Sequence, residues 1–135
     1  MIKKAKEDYL RAIYHFQEEG NNIEKGISSI SLAEYLHISK PTVSEMLRKL
    51  MKENLVHKTP YGKISLTEKG LAESKAITRK HRIIEVFLTK ILKINSRAIH
   101  EEAHRLEHAF SSNSIHSISR LIKNAKSCPH GKPIP

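Results

Sequence analysis

The sequence predicts a mainly α fold in two parts: helices plus one short β-hairpin over residues 1–70, then helices alone over residues 71–135. Three observations predict it. Apolar residues recur at helical spacing along six stretches divided by Gly, Pro, Ser and Asn. Val56 to Leu66 alone has strand composition on both sides of a turn, Pro60-Tyr61-Gly62. Trp is absent and aromatics make up 5% of the chain, which favours helices packed through Leu, Ile and Ala over a β-sandwich.

The first helix spans residues 3–19, with Tyr9, Ile13 and Phe16 on one side and Gly20-Asn21-Asn22 as its stop signal. A polar loop follows. Ser31 is placed to cap a short helix running to His37, with Leu32, Ala33 and Leu36 as its buried side. His37-Ile38-Ser39 makes a tight turn, and Ser39 or Lys40 caps a third helix with Pro41 in its first turn. Val43, Met46, Leu47 and Leu50 face inward there. The hairpin pairs Val56-His57-Lys58-Thr59 with Lys63-Ile64-Ser65-Leu66. Thr67-x-x-Gly70 opens a long helix to about Leu92, carried by Ala72, Ala76, Ile83, Ile84, Val86, Phe87, Leu88 and Ile91. A fifth helix runs from Ser96, its expected cap, to Phe110, and a sixth from Ser114 to about Ala125. Cys128 to Pro135 is rich in proline and is expected to leave in extended form.

At 135 residues and 39% hydrophobic content, the chain can bury a core but has no room for a large catalytic domain. Its formal net charge of +10 favours polyanionic partners. Residues 1–70 carry +3 and residues 71–135 carry +7, so charge alone does not locate a nucleic-acid surface. A single cysteine excludes an internal disulfide. No apolar run approaches the ~18–20 residues of a membrane span, and no signal-peptide pattern opens the chain. A cytoplasmic protein without membrane association is the expectation.

Helix, tight turn, helix and hairpin is the order of a winged helix-turn-helix. Small Ala33 allows the two helices to cross closely, and Ile38, Val43 and Leu47 fill the wedge between them. The third helix would then enter the major groove of duplex DNA. Ser39, Lys40, Pro41, Thr42, Ser44, Glu45 and Arg48 are its expected exposed positions. Hydroxyls and Lys40 suit phosphate, and Glu45 suits the amino group of cytosine. Tyr61, Gly62 and Lys63 in the wing are placed for the flanking backbone. A helical hairpin used for protein contacts is the competing reading.

In the second half, His100, His104, Glu107 and His108 fall at i, i+4, i+7 and i+8. At about 100° per residue they share one arc of the fifth helix, so their donor atoms can converge on a transition metal. The apolar stripe of Ile99, Ala103, Leu106 and Phe110 lies about 120° away, which leaves a plain solvated face as the alternative. His81 and Glu85 form a second i, i+4 pair on the long helix, and Asp8 is a carboxylate early in the first. His100-Glu101-Glu102-Ala103-His104 also satisfies H-E-x-x-H, in which Glu101 would serve a zinc protease as base, but no cleft domain fits so short a chain. Cys128 and His130 offer two donors, too few for a closed structural zinc site. His15, His37, His57 and His116 stand singly and read as ordinary surface or core histidines.

Five segments taken together are more specific: Glu7 to Tyr14, Lys40 to Ser44, Leu66 to Gly70, Arg79 to Arg82 and His100 to His108. In order along the chain they closely resemble the diphtheria toxin repressor family of iron- and manganese-dependent transcription regulators. Gly131-Lys132-Pro133-Ile134-Pro135 resembles the segment that leads out of that family's dimerisation domain, and the two-domain form without an SH3-like third domain is expected. The resemblance implies a winged helix-turn-helix DNA-binding domain over 1–70 and an all-helical dimerisation and metal-binding domain over 71–135. It implies a primary metal site at Asp8, His104, Glu107 and His108, and an ancillary site at His81, Glu85 and His100. Asp8 matches the manganese-type members, where iron-type members have methionine. His104 departs from both, which use cysteine or glutamate, and Arg11 departs from the manganese type's glutamate. Fe(II) or Mn(II) follows from the family, whereas the extra imidazole suits Zn(II), Co(II) or Ni(II). The implied partners are a double-stranded DNA operator and a second copy of the chain, with no small organic substrate and no enzymatic activity.

Overall fold

The computed structural model describes residues 2–20, 26–60, 62–123 and 125–135, so the expected stop signal at Asn21-Asn22 and the wing residue Tyr61 lie outside the described residues. Among the described residues, six helices and one two-stranded sheet follow in the order α1 (Ile2–Gly20), α2 (Ser29–Leu36), α3 (Lys40–Lys52), β1 (Val56–Lys58), β2 (Ile64–Leu66), α4 (Glu68–Lys90), α5 (Ser96–Glu107) and α6 (Ser112–Leu121). The fold class is as the sequence predicts. By its internal contacts the chain divides into two compact units, Met1–Lys75 and Ala76–Pro135.

In the first unit, α1, α2 and α3 close over Tyr9, Leu10, Ile13, Leu32, Val43, Leu47 and Leu50, all buried. Full burial of each such Leu or Ile stabilises the fold by about 1.5–3 kcal/mol. Ser28, not Ser31, caps α2: its hydroxyl accepts from the Ser31 amide at 3.1 Å, which places Ser31 inside the first turn. Ser39 caps α3 as expected, with Pro41 behind it. Between the two helices His37 takes the left-handed conformation (φ 56°), a position that glycine fills at lower cost. The hairpin is antiparallel, with Val56 opposite Leu66 and Lys58 opposite Ile64. Gln17 on α1 ties it down by accepting from the Leu66 amide at 3.1 Å. Thr67 caps the start of α4: its hydroxyl donates to the Asn54 carbonyl at 2.7 Å and accepts from the Gly70 amide at 3.0 Å. Gly70 rides so close to Leu55 that a Cβ would collide with its carbonyl oxygen.

In the second unit Ile83, Ile84, Val86, Leu88, Ile99, Ala103, Ile115 and Ile122 form the core. Several boundaries differ from the sequence reading, among them the ends of α4 at Lys90 instead of about Leu92 and of α6 at Leu121 instead of about Ala125. Asn95, not Ser96, caps α5: its Oδ1 accepts from the Arg97 amide at 3.1 Å. That helix stops at Glu107, so Phe110 packs from the following turn. Ser111 caps α6, which begins at Ser112 instead of Ser114. The C-terminal segment is not extended. Ser127 pairs with Pro133, the Cys128 amide donates to Lys132 at 2.8 Å, and Arg82 donates to the Pro133 carbonyl at 2.5 Å. Proline removed helix as an option, but Gly131 (φ 83°) turned the chain back.

Candidate metal centre and nucleic-acid interface

Within the first unit every described side chain expected to face DNA is exposed: Ser39 at the cap of α3, Lys40, Pro41, Thr42, Ser44, Glu45 and Arg48 on α3, and Lys63 in the wing. The Ser39 and Thr42 hydroxyls lie 2.8 Å apart at the helix N-terminus, where backbone N–H groups and the helix dipole favour an anion. Glu45 sits 3.9 Å from Lys49, which offsets its repulsion of phosphate. A hollow between α3 and the hairpin is lined by Ser44, Arg48, Met51, Lys58 and Gly62. Lys58 joins the hollow because it shares a sheet face with Val56, two residues earlier, and with its cross-strand partner Ile64, which also lines it.

The second unit gathers its ionisable groups around two sealed carboxylates. Glu107 is 1% exposed, and its Oε1 stands 3.4 Å from His81 Nδ1 and 3.9 Å from both His104 Nε2 and His108 Nε2. Glu85 is 2% exposed, and its Oε2 stands 3.5 Å from His81 Nε2, 3.7 Å from His100 Nδ1 and 3.5 Å from His130 Nδ1. Burial works against the Glu85 charge, but hydrogen bonds from His100 and His81 and the field of His81 and His130 outweigh it, holding its carboxyl at about 2. A solvated polar face does not describe Glu107 or Glu85, although the side chain of His100 on the same arc is 59% exposed. The α5 stripe turns Ile99 and Ala103 into the core, and α4 covers the neighbouring face as well, so His81 meets Glu107.

Asp8 is half-buried on α1 in the first unit. His104, Glu107 and His108 have ligand atoms within 4.8 Å of one another, as do His81, Glu85 and His100. Glu85, Cys128 and His130 form a further triad by the same measure. Sequence reasoning discounted Cys128 and His130 because it counted only their own two donors. The turn at Gly131 that brings them to Glu85 was the missing signal. The two histidines of H-E-x-x-H fall in different clusters, His100 with Glu85 and His104 with Glu107, and Glu101 is exposed. That is not the arrangement of a zinc protease, in which both histidines bind one ion.

The donor chemistry fits a transition-metal ion. A tetrahedron with bonds of about 2.1 Å has edges of about 3.4 Å, close to the 3.3–3.9 Å separations among these nitrogens and oxygens. Imidazole with carboxylate is a donor set for iron, zinc, nickel, cobalt and manganese.

Comparison with known proteins agrees with this geometry. Residues 1–64 match the family model described as iron dependent repressor, N-terminal DNA binding domain, and residues 67–135 match its metal binding and dimerisation domain. The chain is 38% identical over 125 residues to an uncharacterised HTH-type transcriptional regulator of Methanocaldococcus jannaschii, covering 93% of this chain and 98% of that protein. It is 35% identical over 129 residues to the diphtheria toxin repressor of Corynebacterium efficiens, covering 96% of this chain and 54% of that protein. Among solved structures it resembles the manganese regulator SloR, at 41% identity and a TM-score of 0.83, over 96% of this chain and 59% of that one. The chain thus spans about half the length of the diphtheria toxin repressors it matches. No described helix is long and apolar enough to cross a membrane. On the match of both family domains, the chain belongs to the iron-dependent repressor family.

Proposed function

We propose that this chain is a metal-dependent, DNA-binding transcriptional repressor that acts as a homodimer on a palindromic operator, most simply at metal-uptake genes in the cytoplasm. Residues 1–70 serve as the DNA-binding domain, and residues 71–135 dimerise and hold metal. The observation that carries the reading is the pair of buried carboxylates, each ringed by imidazole nitrogens, in a chain whose first unit exposes a winged helix-turn-helix surface. The primary ligands are Asp8, His104, Glu107 and His108; the ancillary ligands are His81, Glu85 and His100, with Cys128 and His130 beside them. Asp8 enters this set through the resemblance in sequence.

When bound, a divalent ion supplies the positive charge that draws donors of both halves together. The chain's own contribution is differential affinity: its ligands are satisfied in the arrangement that presents two recognition helices to successive major grooves. Ser39, Lys40, Thr42, Ser44 and Arg48 then meet phosphates and base edges, with Lys63 and Lys58 on the flanking backbone. The apolar surface of Phe87, Phe110, Ile118 and Leu121 suits the second copy, since Leu121 is 56% exposed and would be covered by a partner. Fe(II) or Mn(II) is the expected effector, matching relatives named for iron and manganese. His104 supports a second reading, a Zn(II)-, Co(II)- or Ni(II)-responsive regulator of the same architecture, because nitrogen donors suit the later metals.

The test is operator DNA recovered by in vitro selection, titrated anaerobically with protein in Fe(II), Mn(II), Zn(II), Co(II) or Ni(II) and followed by fluorescence anisotropy. Metal should raise affinity at least tenfold in the wild type and have no effect after Asp8→Ala with His108→Ala. Equal affinity in chelator and in every metal overturns the reading.

A further inference from the structure

The outward face of α3 carries a carboxylate at its centre, which a helix built only to grip phosphates would avoid. Val43, Leu47 and Leu50 are its buried residues. At about 100° per residue, the middle of that buried arc lies about 165° round the helix from Glu45. Glu45 therefore stands opposite the core, where a recognition helix reaches deepest into a groove. Lys49 lies about 40° to one side of it and Arg48 about 60° to the other. Arg48 and Ser44 turn toward the hollow beside the hairpin, which they line. Glu45 Oε1 and Lys49 Nζ stand 3.9 Å apart, with 67% and 55% of their side chains exposed. An opposite-charge pair is presented whole to whatever α3 meets.

We propose that Glu45 and Lys49 act together as a specificity element that reads one C·G base pair in each half-site, Glu45 taking the cytosine and Lys49 the guanine. The inference rests on the reading that α3 enters the major groove. An ionised carboxylate only accepts hydrogen bonds, and an ammonium only donates them. In the major groove cytosine offers its N4 amino group as a donor, and the guanine paired with it offers O6 and N7 as acceptors. Donor and acceptors lie side by side on that edge, so a carboxylate and an ammonium set side by side match them. The other base pairs fit less well. Adenine also has an amino donor, but its own N7 lies next to it and turns a lone pair toward the second carboxylate oxygen. The thymine opposite gives Lys49 one acceptor where guanine gives two. In the reversed pair, G·C, the carboxylate meets O6 and N7 and the ammonium meets the amino group, so both contacts repel. Selectivity thus comes from repulsion as much as from attraction. Lys49 also lets the carboxylate pass between the phosphates as half of a nearly neutral pair.

The experiment is selection of random-sequence duplex DNA by the full chain in Co(II), repeated with variants at these two exposed positions. The wild type should enrich a palindrome with one C·G pair per half-site at a position that residue 45 governs. In anisotropy titrations, replacing that pair by A·T or G·C should weaken binding about tenfold. Glu45→Gln, whose amide both donates and accepts, should shift the selected base at that position from cytosine to adenine. Lys49→Ala should keep cytosine but narrow its advantage over adenine. The exchange of both charges, Glu45→Lys with Lys49→Glu, should select G·C at the same position. A surface pair that merely supports the helix would not move the selected sequence. Cytosine retained by both Glu45→Gln and the exchange variant therefore overturns the inference alone, as does a wild-type palindrome with A·T at that position. Failure of the wild type to enrich any sequence overturns the reading of α3 as a DNA reader and the inference with it.

Discussion

The two units place their chemistry on opposite sides of the surface. In the first, a conventional apolar core fixes the backbone and the candidate DNA-facing residues are all exposed, so each acts through solvent and salt-screened charge. In the second, Glu85, Glu107 and His81 lie inside, where the dielectric is low and a neighbouring charge or donor counts for more. Substitutions should therefore be local and graded in the first unit, and strongly coupled in the second.

The sharpest break of that contrast is Glu107→Gln. It should lower Co(II) affinity by at least about 100-fold in calorimetry while shifting the melting temperature of chelator-treated protein by only a few degrees, since a buried neutral isostere needs no compensating charge. Next is Gly70→Ala, whose methyl must displace the Leu55 carbonyl; a loss of about 1–3 kcal/mol in denaturant unfolding is expected. A third test is pH. The Glu85 carboxyl is held at about 2 against its ordinary 4.5, so the stability it contributes is present above 4.5 and lost as pH falls through about 2. Acid unfolding of chelator-treated protein should be less steep below pH 4.5 in Glu85→Gln than in wild type. In the first unit, Lys40→Ala should reduce the slope of log affinity against log salt by about 0.9 and leave metal uptake unchanged. The smallest effect is His37→Gly, which relieves a left-handed residue and should alter stability by no more than about 1 kcal/mol in thermal melting.

The helices were legible because burial repeats every three to four residues, and Val43, Leu47 and Leu50 on α3 keep that period closely. Caps were less so. Ser28 and Ser31, or Asn95 and Ser96, are near-equal candidates in sequence, and only the reach of one oxygen to one amide decides between them. The candidate metal clusters were legible on α4 and α5 because i, i+4 spacing puts donors on one helix face. Burial of Glu107 was not, since it depends on α4 packing against α5. The placement of Cys128 and His130 beside Glu85 stayed hidden for a related reason: it depends on a left-handed glycine three residues after the thiol.

The sharing of Glu85 has a consequence for counting. Five side chains, His81, His100, Cys128, His130 and the carboxylate itself, group as two triads with a single acid in common. A dication placed among them draws on that one acid whichever imidazoles it prefers, so the triads compete as alternative nests for a single guest. Donor inventories therefore overstate the capacity of this half of the molecule: tallied by its two buried carboxylates, the proposed centre would seat at most a pair of cations.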